Sequence, residues 1–246
     1  MKNFTLKECI FCAGIIFLLA AVTPIAIGNA VGSAKLTACA DNLRRIGAAE
    51  LGYAEDNKSE LAMGEANFIK GGGAVRAATY SKGTPPIMLI NLKYLKSDNP
   101  SENLIAKRER FFRCPEDEVN FVKTPIYGWG KPVPAISYLY CWFSTQQGLK
   151  SHSYPCKTKP EQDDDYGLRS NIDRDEPGRF IFSDLVKTLS YRWANVPKEK
   201  ARSNHNDQFN VLYLGGHVAV KKITPKQEEW IADGTNRFAH LADDVN

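Results

Sequence analysis

FTLKECIFCAGIIFLLAAVTPIAIGNAVGSAKLTACADNLRRIGAAELGYAEDN, residues Phe4 to Asn57, is the stretch whose reading decides the fold. No charged residue stands between Glu8 and Lys35, a gap of 26 residues. That is long enough to cross a bilayer core of roughly 30 Å as a helix. Past Lys35 the apolar residues become periodic. Leu36, Ala40, Leu43, Gly47, Leu51 and Ala54 recur at steps of three and four, one face of a helix, while Asp41, Arg44, Arg45, Glu50 and Glu55 take other faces. The spacing therefore predicts one long helix, apolar all round in its first half and amphipathic in its second. At about 1.5 Å per residue it spans roughly 75–80 Å. Leu36, Leu43, Ile46 and Leu51 are the residues expected to pack on the rest of the chain.

Composition narrows the classes. The chain has 246 residues, and 43% hydrophobic content is enough for one compact domain after the helix. A net charge of +4 without a run of five or six like charges is too mild to point to a nucleic-acid partner. The apolar stretch is too long for a secretory signal. Cys9 and Cys12 lie inside it as helix-packing residues, since no strand precedes them to make a redox motif. Cys39, Cys114, Cys141 and Cys156 fall in the remaining chain, and the sequence leaves their three full pairings open.

Phe4-Thr5-Leu6-Lys7-Glu8 before an apolar helix resembles the prepilin N-terminus of type IV pilin-like proteins and type II secretion pseudopilins, with its cleavage and methylation motif. Asn3 stands at the usual cleavage-site Gly, and Lys7 replaces an apolar residue. Pro24 sits where many such pilins carry a helix-kinking proline. Cys39-Ala40-Asp41-Asn42-Leu43-Arg44-Arg45-Ile46-Gly47 and Tyr53-Ala54-Glu55-Asp56-Asn57 are similar to elements of one large pseudopilin subgroup. The resemblance implies cleavage before Phe4 by a prepilin peptidase. It also implies a cytoplasmic N-terminus, a single pass through the inner membrane and a periplasmic head. Glu8 would then meet the amino terminus of a neighbouring subunit, relieving the cost of a carboxylate at a membrane helix.

Between Ser59 and Lys82 the pattern weakens. Gly71-Gly72-Gly73 reads as a flexible break, lacking the Lys and helix start of a phosphate loop. Pro85-Pro86 open a second helix through Leu89, Leu92 and Leu95, ending near Lys96. Phe111-Phe112-Arg113-Cys114-Pro115-Glu116-Asp117 is a short apolar run similar to the subgroup's Cys-Pro-Ser-Asp element, which implies that Cys39 and Cys114 lie near one another. Cys141 and Cys156 are then the second candidate pair. Ala135–Phe143 reads as a strand, and its Ser137-Tyr138 resembles a Ser-Tyr step of the subgroup. Residues 145–175 read as an inserted loop carrying Asp163-Asp164-Asp165, without a calcium-loop pattern. Strands follow over Arg179–Leu185, Phe209–Leu214 and His217–Ile223, then a helix over Lys226–Ile231 and a loose polar tail from Asp233.

Gly215-Gly216 between the last two strands signals a two-residue hairpin turn with positive φ. His205, nine residues and then Gly215-Gly216 resemble the H-x9-D-G element of the prepilin-type processing-associated domain, with Gly215 in place of the Asp. Asp184 and His205 end one strand and lead into the next, so they can be neighbours in an acid–base or metal-like pair. The reading favoured here is structural: His205 and the Asn206-Asp207 turn fix the loop before the hairpin by hydrogen bonds, and the hairpin is architectural. No nucleophile motif accompanies the pair, His217 reads as a strand-surface residue, and Trp129, Trp142, Tyr138 and Tyr140 read as packing.

The expectation is an α+β, pilin-like fold: residues 1–34 a membrane segment, residues 35–246 an extracytoplasmic domain with the insertion near 145–175. The expected function is structural, a subunit of a type II secretion or type IV pilus-like assembly. Its expected partners are other pilin-like subunits or secretion-system components, the membrane and the prepilin peptidase. No enzyme activity, cofactor or metal is expected. The alternative is an unprocessed, membrane-tethered protein that binds polysaccharide or another envelope component.

Overall fold

The computed structural model describes residues 6–62, 74–79, 84–99, 101–121, 126–128, 131–133, 135–143, 169–193, 196–232, 238 and 241–244. It is a mixed α+β fold in which a long N-terminal helix lies on an antiparallel sheet. That helix, α1, runs Leu6–Asp56. Side chains of much of its first part, Glu8 and Pro24 included, lie outside the described residues, as do Asn3 and Phe4. Among the described residues no helix is long and apolar enough to cross a membrane. The helix stops where Lys58 and Ser59 turn left-handed, at φ 57° and 65°, and the Asn57 and Ser59 N–H groups donate to Ala54 O.

The remaining elements are β1 (Ala74–Thr79), α2 (Pro85–Asn91), α3 (Leu104–Phe112), β2 (Ile126–Gly128), β3 (Lys131–Val133), β4 (Ala135–Phe143), β5 (Phe180–Asp184), α4 (Lys187–Trp193), β6 (Gln208–Tyr213), β7 (Val218–Lys222) and α5 (Pro225–Ala232). Strands β1-β4-β5-β6-β7 form one sheet in that order, and β2–β3 form a separate ribbon. Every neighbour in the main sheet is antiparallel. The strands over 135–143, 180–184, 208–213 and 218–222 and the helix over 225–232 match the sequence pattern. Three further elements carry weak patterns. Strand β1 is half alanine. Helix α3 carries four charges in nine residues and starts because the Asn103 side chain accepts the Ala106 N–H at 2.9 Å. Helix α4 is seven residues long.

Helix α1 buries Cys39, Leu43, Ile46, Glu50 and Ala54 completely. Their steps of four, three, four and four trace one stripe against the sheet. Leu43 and Ile46 lie on it as expected, whereas Leu36 and Leu51 flank it, half-buried. Glu50 corrects the helical reading: it points inward, and its Oε2 accepts the Ala62 N–H at 2.9 Å. Gly47 lets the helix approach β6, since a Cβ there would stand 2.7 Å from Leu212 Cδ1.

Alternation puts Asn210 and Leu212 of β6 under α1 and Phe209 and Val211 on the opposite face. Phe238 covers that face, with ring centroids 5.5 Å from both Phe180 and Phe209. The C-terminal tail is therefore not loose where it is described. The Asp243 carboxylate accepts from the buried Arg169 and Arg179 guanidinium groups and from the Phe180 N–H. Tyr213 Oη donates to Ala242 O at 3.0 Å. The described end of the expected insertion, residues 169–175, is likewise tied in, with Asn171 bridged to Glu60.

Helix α2 begins at Pro85 as its proline signal implies but ends at Asn91. Lys93, at φ 67°, turns the chain. Leu95 regains the core from beyond the turn, donating its N–H to Leu89 O.

Candidate functional site

The sheet register sets Tyr138 of β4 opposite Asp184 of β5. On its other side Asp184 receives two bonds from Asn210 of β6, one from the backbone N–H and one from the side-chain amide, each 2.8 Å long at Oδ2. The Asn210 amide also donates to the Leu36 carbonyl of α1 at 3.1 Å. Asn42 of α1 donates to Tyr138 Oη at 3.3 Å and to Arg113 O at 3.1 Å. A polar row thus crosses the sheet directly beneath the helix. It is sealed: Tyr138, Asp184 and Asn210 are fully buried.

Two further segments close over this row. The chain after α3 brings Cys114, which forms a disulfide with Cys39 of α1, the Cα atoms 5.1 Å apart. The loop before β6 brings His205. Its Nε2 lies 3.4 Å from Cys114 Sγ and 3.5 Å from Asp184 Oδ2, and its Nδ1 lies 2.7 Å from Glu116 Oε2. The neighbourhood of Asp184 and His205 inferred from chain order is therefore present. The partners of His205 are two carboxylates and the disulfide sulfur.

A second tier holds the His205 loop. The Asn204 side-chain amide donates to Ser137 O at 2.6 Å, and its Oδ1 accepts from the Asn120 amide at 2.8 Å. Asn120 accepts in turn from the Ser190 hydroxyl, and its backbone N–H donates to Asp117 Oδ1 at 2.6 Å. Burial raises the pKa of Asp184, and the nearby His205 opposes that rise. Burial likewise lifts Tyr138 well above an ordinary phenol, the Asp184 charge adding to the effect. Asp117 is raised by burial against the hydrogen bonds it accepts. Glu116, Asn120 and Asn204 were missed in the sequence. Their types are ordinary in surface turns, and only the packing of α3's exit against the β6 approach makes them partners of the His205 loop, Asn120 and Asn204 inside and Glu116 at the rim.

Chemically the cluster is a disulfide, an imidazole and carboxylates in a closed space. Asp184 is 0% exposed and His205 5%, so a substrate-sized molecule does not reach them. Cys39 Sγ, Cys114 Sγ, an Asp184 oxygen and a His205 nitrogen all lie within 4.8 Å of one another. While the sulfurs are bonded to each other, His205 and Asp184 are the metal-type donors left.

The hairpin residues sit apart from this cluster. The Gly216 N–H donates to Tyr213 O, and the Tyr213 N–H to His217 O. Residues 214–216 thus make a three-residue loop, longer than the two-residue turn expected. Only Gly216 of the pair has positive φ, at 82°, as in a turn closed by a left-handed glycine. Gly215 donates its N–H to Pro177 O. His217 is exposed and stacks on Tyr213, ring centroids 4.4 Å apart. Cys141 is buried in β4. Cys156, Asp163–Asp165, Trp129 and Gly71–Gly73 lie outside the described residues, as does the Trp142 side chain.

No family model, curated protein or solved structure matches the chain.

Proposed function

We propose that the chain is a structural, pilin-like subunit: α1 anchors it in a membrane and packs it beside similar subunits, while the sheet forms an extracytoplasmic head. The observation that carries this is the division of labour along one helix. From Cys39 to Ala54 one face of α1 is the core of the head. Toward its start, Phe11, Ile16 and Phe17 are exposed at 72%, 66% and 76%. Bare apolar side chains on a continuous helix call for an apolar surrounding, at about 25 cal/mol per Å² removed from water. The uncharged run from Cys9 to Ala34 supports a bilayer as that surrounding. The motifs at Phe4–Glu8 and Cys39–Gly47 support the pilin-like class.

Closure of the Asp184–His205 cluster supports a structural rather than an enzymatic head. Asn3 and Lys7 favour a second reading, a tethered head that is never processed and that binds an envelope component. Both readings require the anchor. Full-length protein should resist carbonate extraction from membranes, and Ile16→Asp with Phe17→Asp should release it. Wild-type protein recovered wholly in the soluble fraction would sink both readings.

A further inference from the structure

Four segments distant in sequence deliver Cys39, Cys114, Asp184 and His205 to one buried point, their donor atoms within 4.8 Å of one another. We propose that this cluster has two chemical states. Under oxidising conditions it is the Cys39–Cys114 disulfide. After reduction it is a tetrahedral site for a zinc-class divalent cation, held by two thiolates, His205 Nε2 and one Asp184 oxygen.

Three independent features point to the second state. The first is spacing. His205 Nε2 stands 3.4 Å from Cys114 Sγ and 3.5 Å from Asp184 Oδ2. The nitrogen–sulfur separation matches an edge of a tetrahedron built on metal bonds of about 2.0–2.3 Å; Oδ2 is the Asp184 oxygen already held by Asn210, so ligation falls to Oδ1 of the same carboxylate. The second is orientation. Glu116 Oε2 lies 2.7 Å from Nδ1, the carboxylate–histidine arrangement that fixes the tautomer and leaves Nε2 free to ligate. The third is a vacant acceptor. Asp184 Oδ2 is taken by Asn210, while Asp184 Oδ1 is buried without a hydrogen bond. A donor set of two sulfurs, one nitrogen and one oxygen selects zinc over magnesium or calcium, which prefer oxygen ligands.

The interconversion balances. A dithiol delivers two electrons and two protons to the disulfide and itself becomes a disulfide; Cys39 and Cys114 become thiols. Cation binding then breaks two S–H bonds, forms two metal–sulfur bonds and releases two protons to solvent. With Asp184 ionised, the disulfide state and the loaded state carry the same formal charge of minus one. The sealed interior therefore gains no net charge in passing between them.

The test uses the full chain reduced with a phosphine, which does not compete for metal as a dithiol does, and zinc or cobalt ions as probes. Reduced, folded protein should retain one equivalent of zinc through gel filtration, and air-oxidised protein none. Cobalt should give the sulfur-to-metal charge-transfer bands and visible d–d bands of a tetrahedral two-thiolate site. Asp184→Asn and His205→Gln should each weaken zinc at least about tenfold, and Glu116→Gln about 10–100-fold with stoichiometry kept. Should a variant not fold, the wild-type cobalt spectrum decides. Substoichiometric zinc in folded, reduced protein would overturn the proposal. So would a reduced chain that zinc fails to refold, or zinc retained in full by Cys39→Ser with Cys114→Ser, which would assign it to the other cysteines.

Discussion

Glu116 Oε2 lies 2.7 Å from His205 Nδ1, and the opposite ring nitrogen, Nε2, faces the disulfide. Glu116 is a partly exposed residue of the Cys-Pro-Glu-Asp segment, and its side chain is the rim of an otherwise closed cluster. A double-mutant cycle on Glu116→Ala and His205→Ala should return a coupling of about 1–2 kcal/mol, with His205→Ala alone costing about 1–3 kcal/mol. Nitrogen-detected NMR should find the proton of neutral His205 on Nδ1 in the wild type. A coupling near zero would mean that the contact merely accompanies the fold.

The disulfide ties α1 to the segment after α3 across 75 residues of sequence. Replacing Cys39 and Cys114 together by Ser, in the presence of a chelator, should cost about 2–4 kcal/mol in urea unfolding. An unchanged midpoint would show that the other contacts of α1, Leu43 and Ile46 among them, hold the helix in place without the disulfide.

Glu50 makes stability depend on pH. Its carboxyl is fully buried, with one oxygen bonded to Ala62 and the other, Oε1, unpartnered. Burial, opposed by the Ala62 N–H, raises its pKa from 4.5 to about 8. The folded protein therefore holds the proton where the unfolded chain has released it. This contribution to stability is complete below about pH 4.5, falls as pH rises and is lost through about pH 8. The full swing is up to about 5 kcal/mol. Glu50→Gln should flatten the wild-type decline between pH 5 and 9. A decline equally steep in the variant would place the titrating group elsewhere.

Leu43 sits at the centre of the stripe that α1 presents to the sheet, and Leu43→Ala should cost about 2–5 kcal/mol. At the hairpin, Gly216→Val should cost roughly 3 kcal/mol or more. The backbone there has φ 82°, and a Cβ would stand 2.7 Å from Leu51 Cδ1. Gly215→Asp should cost about 1 kcal/mol, because its Cβ would only press on Pro177 at 3.1 Å. Thermal unfolding of the variants checks the ranking, and equal effects at the two glycines would contradict the turn geometry.

Periodicity made α1 legible, and alternating apolar residues with a Gly-Gly step revealed β6 and β7. The same helical reading misplaced Glu50, because a wheel assigns a charge outward and cannot register one neutralised by burial. The exit of α2 was read too late because Leu92 and Leu95 continue its spacing past the turn at Lys93. Charge hid α3, whose clearest signal was the Asn103 cap. Chain order was enough to place Asp184 beside His205. The tier of Asn120, Asn204 and Asn210 left no trace, since a buried asparagine is defined by partners that only the tertiary fold supplies.

If the exposed start of α1 is the assembly anchor of a pilin-like subunit, as proposed, a prepilin peptidase should cut the chain before Phe4. The most direct measurement is the N-terminal mass and sequence of the full chain produced together with a prepilin peptidase. The mature chain should begin at Phe4. A chain that still begins at Met1, in cells where a control prepilin is cleaved, would contradict it.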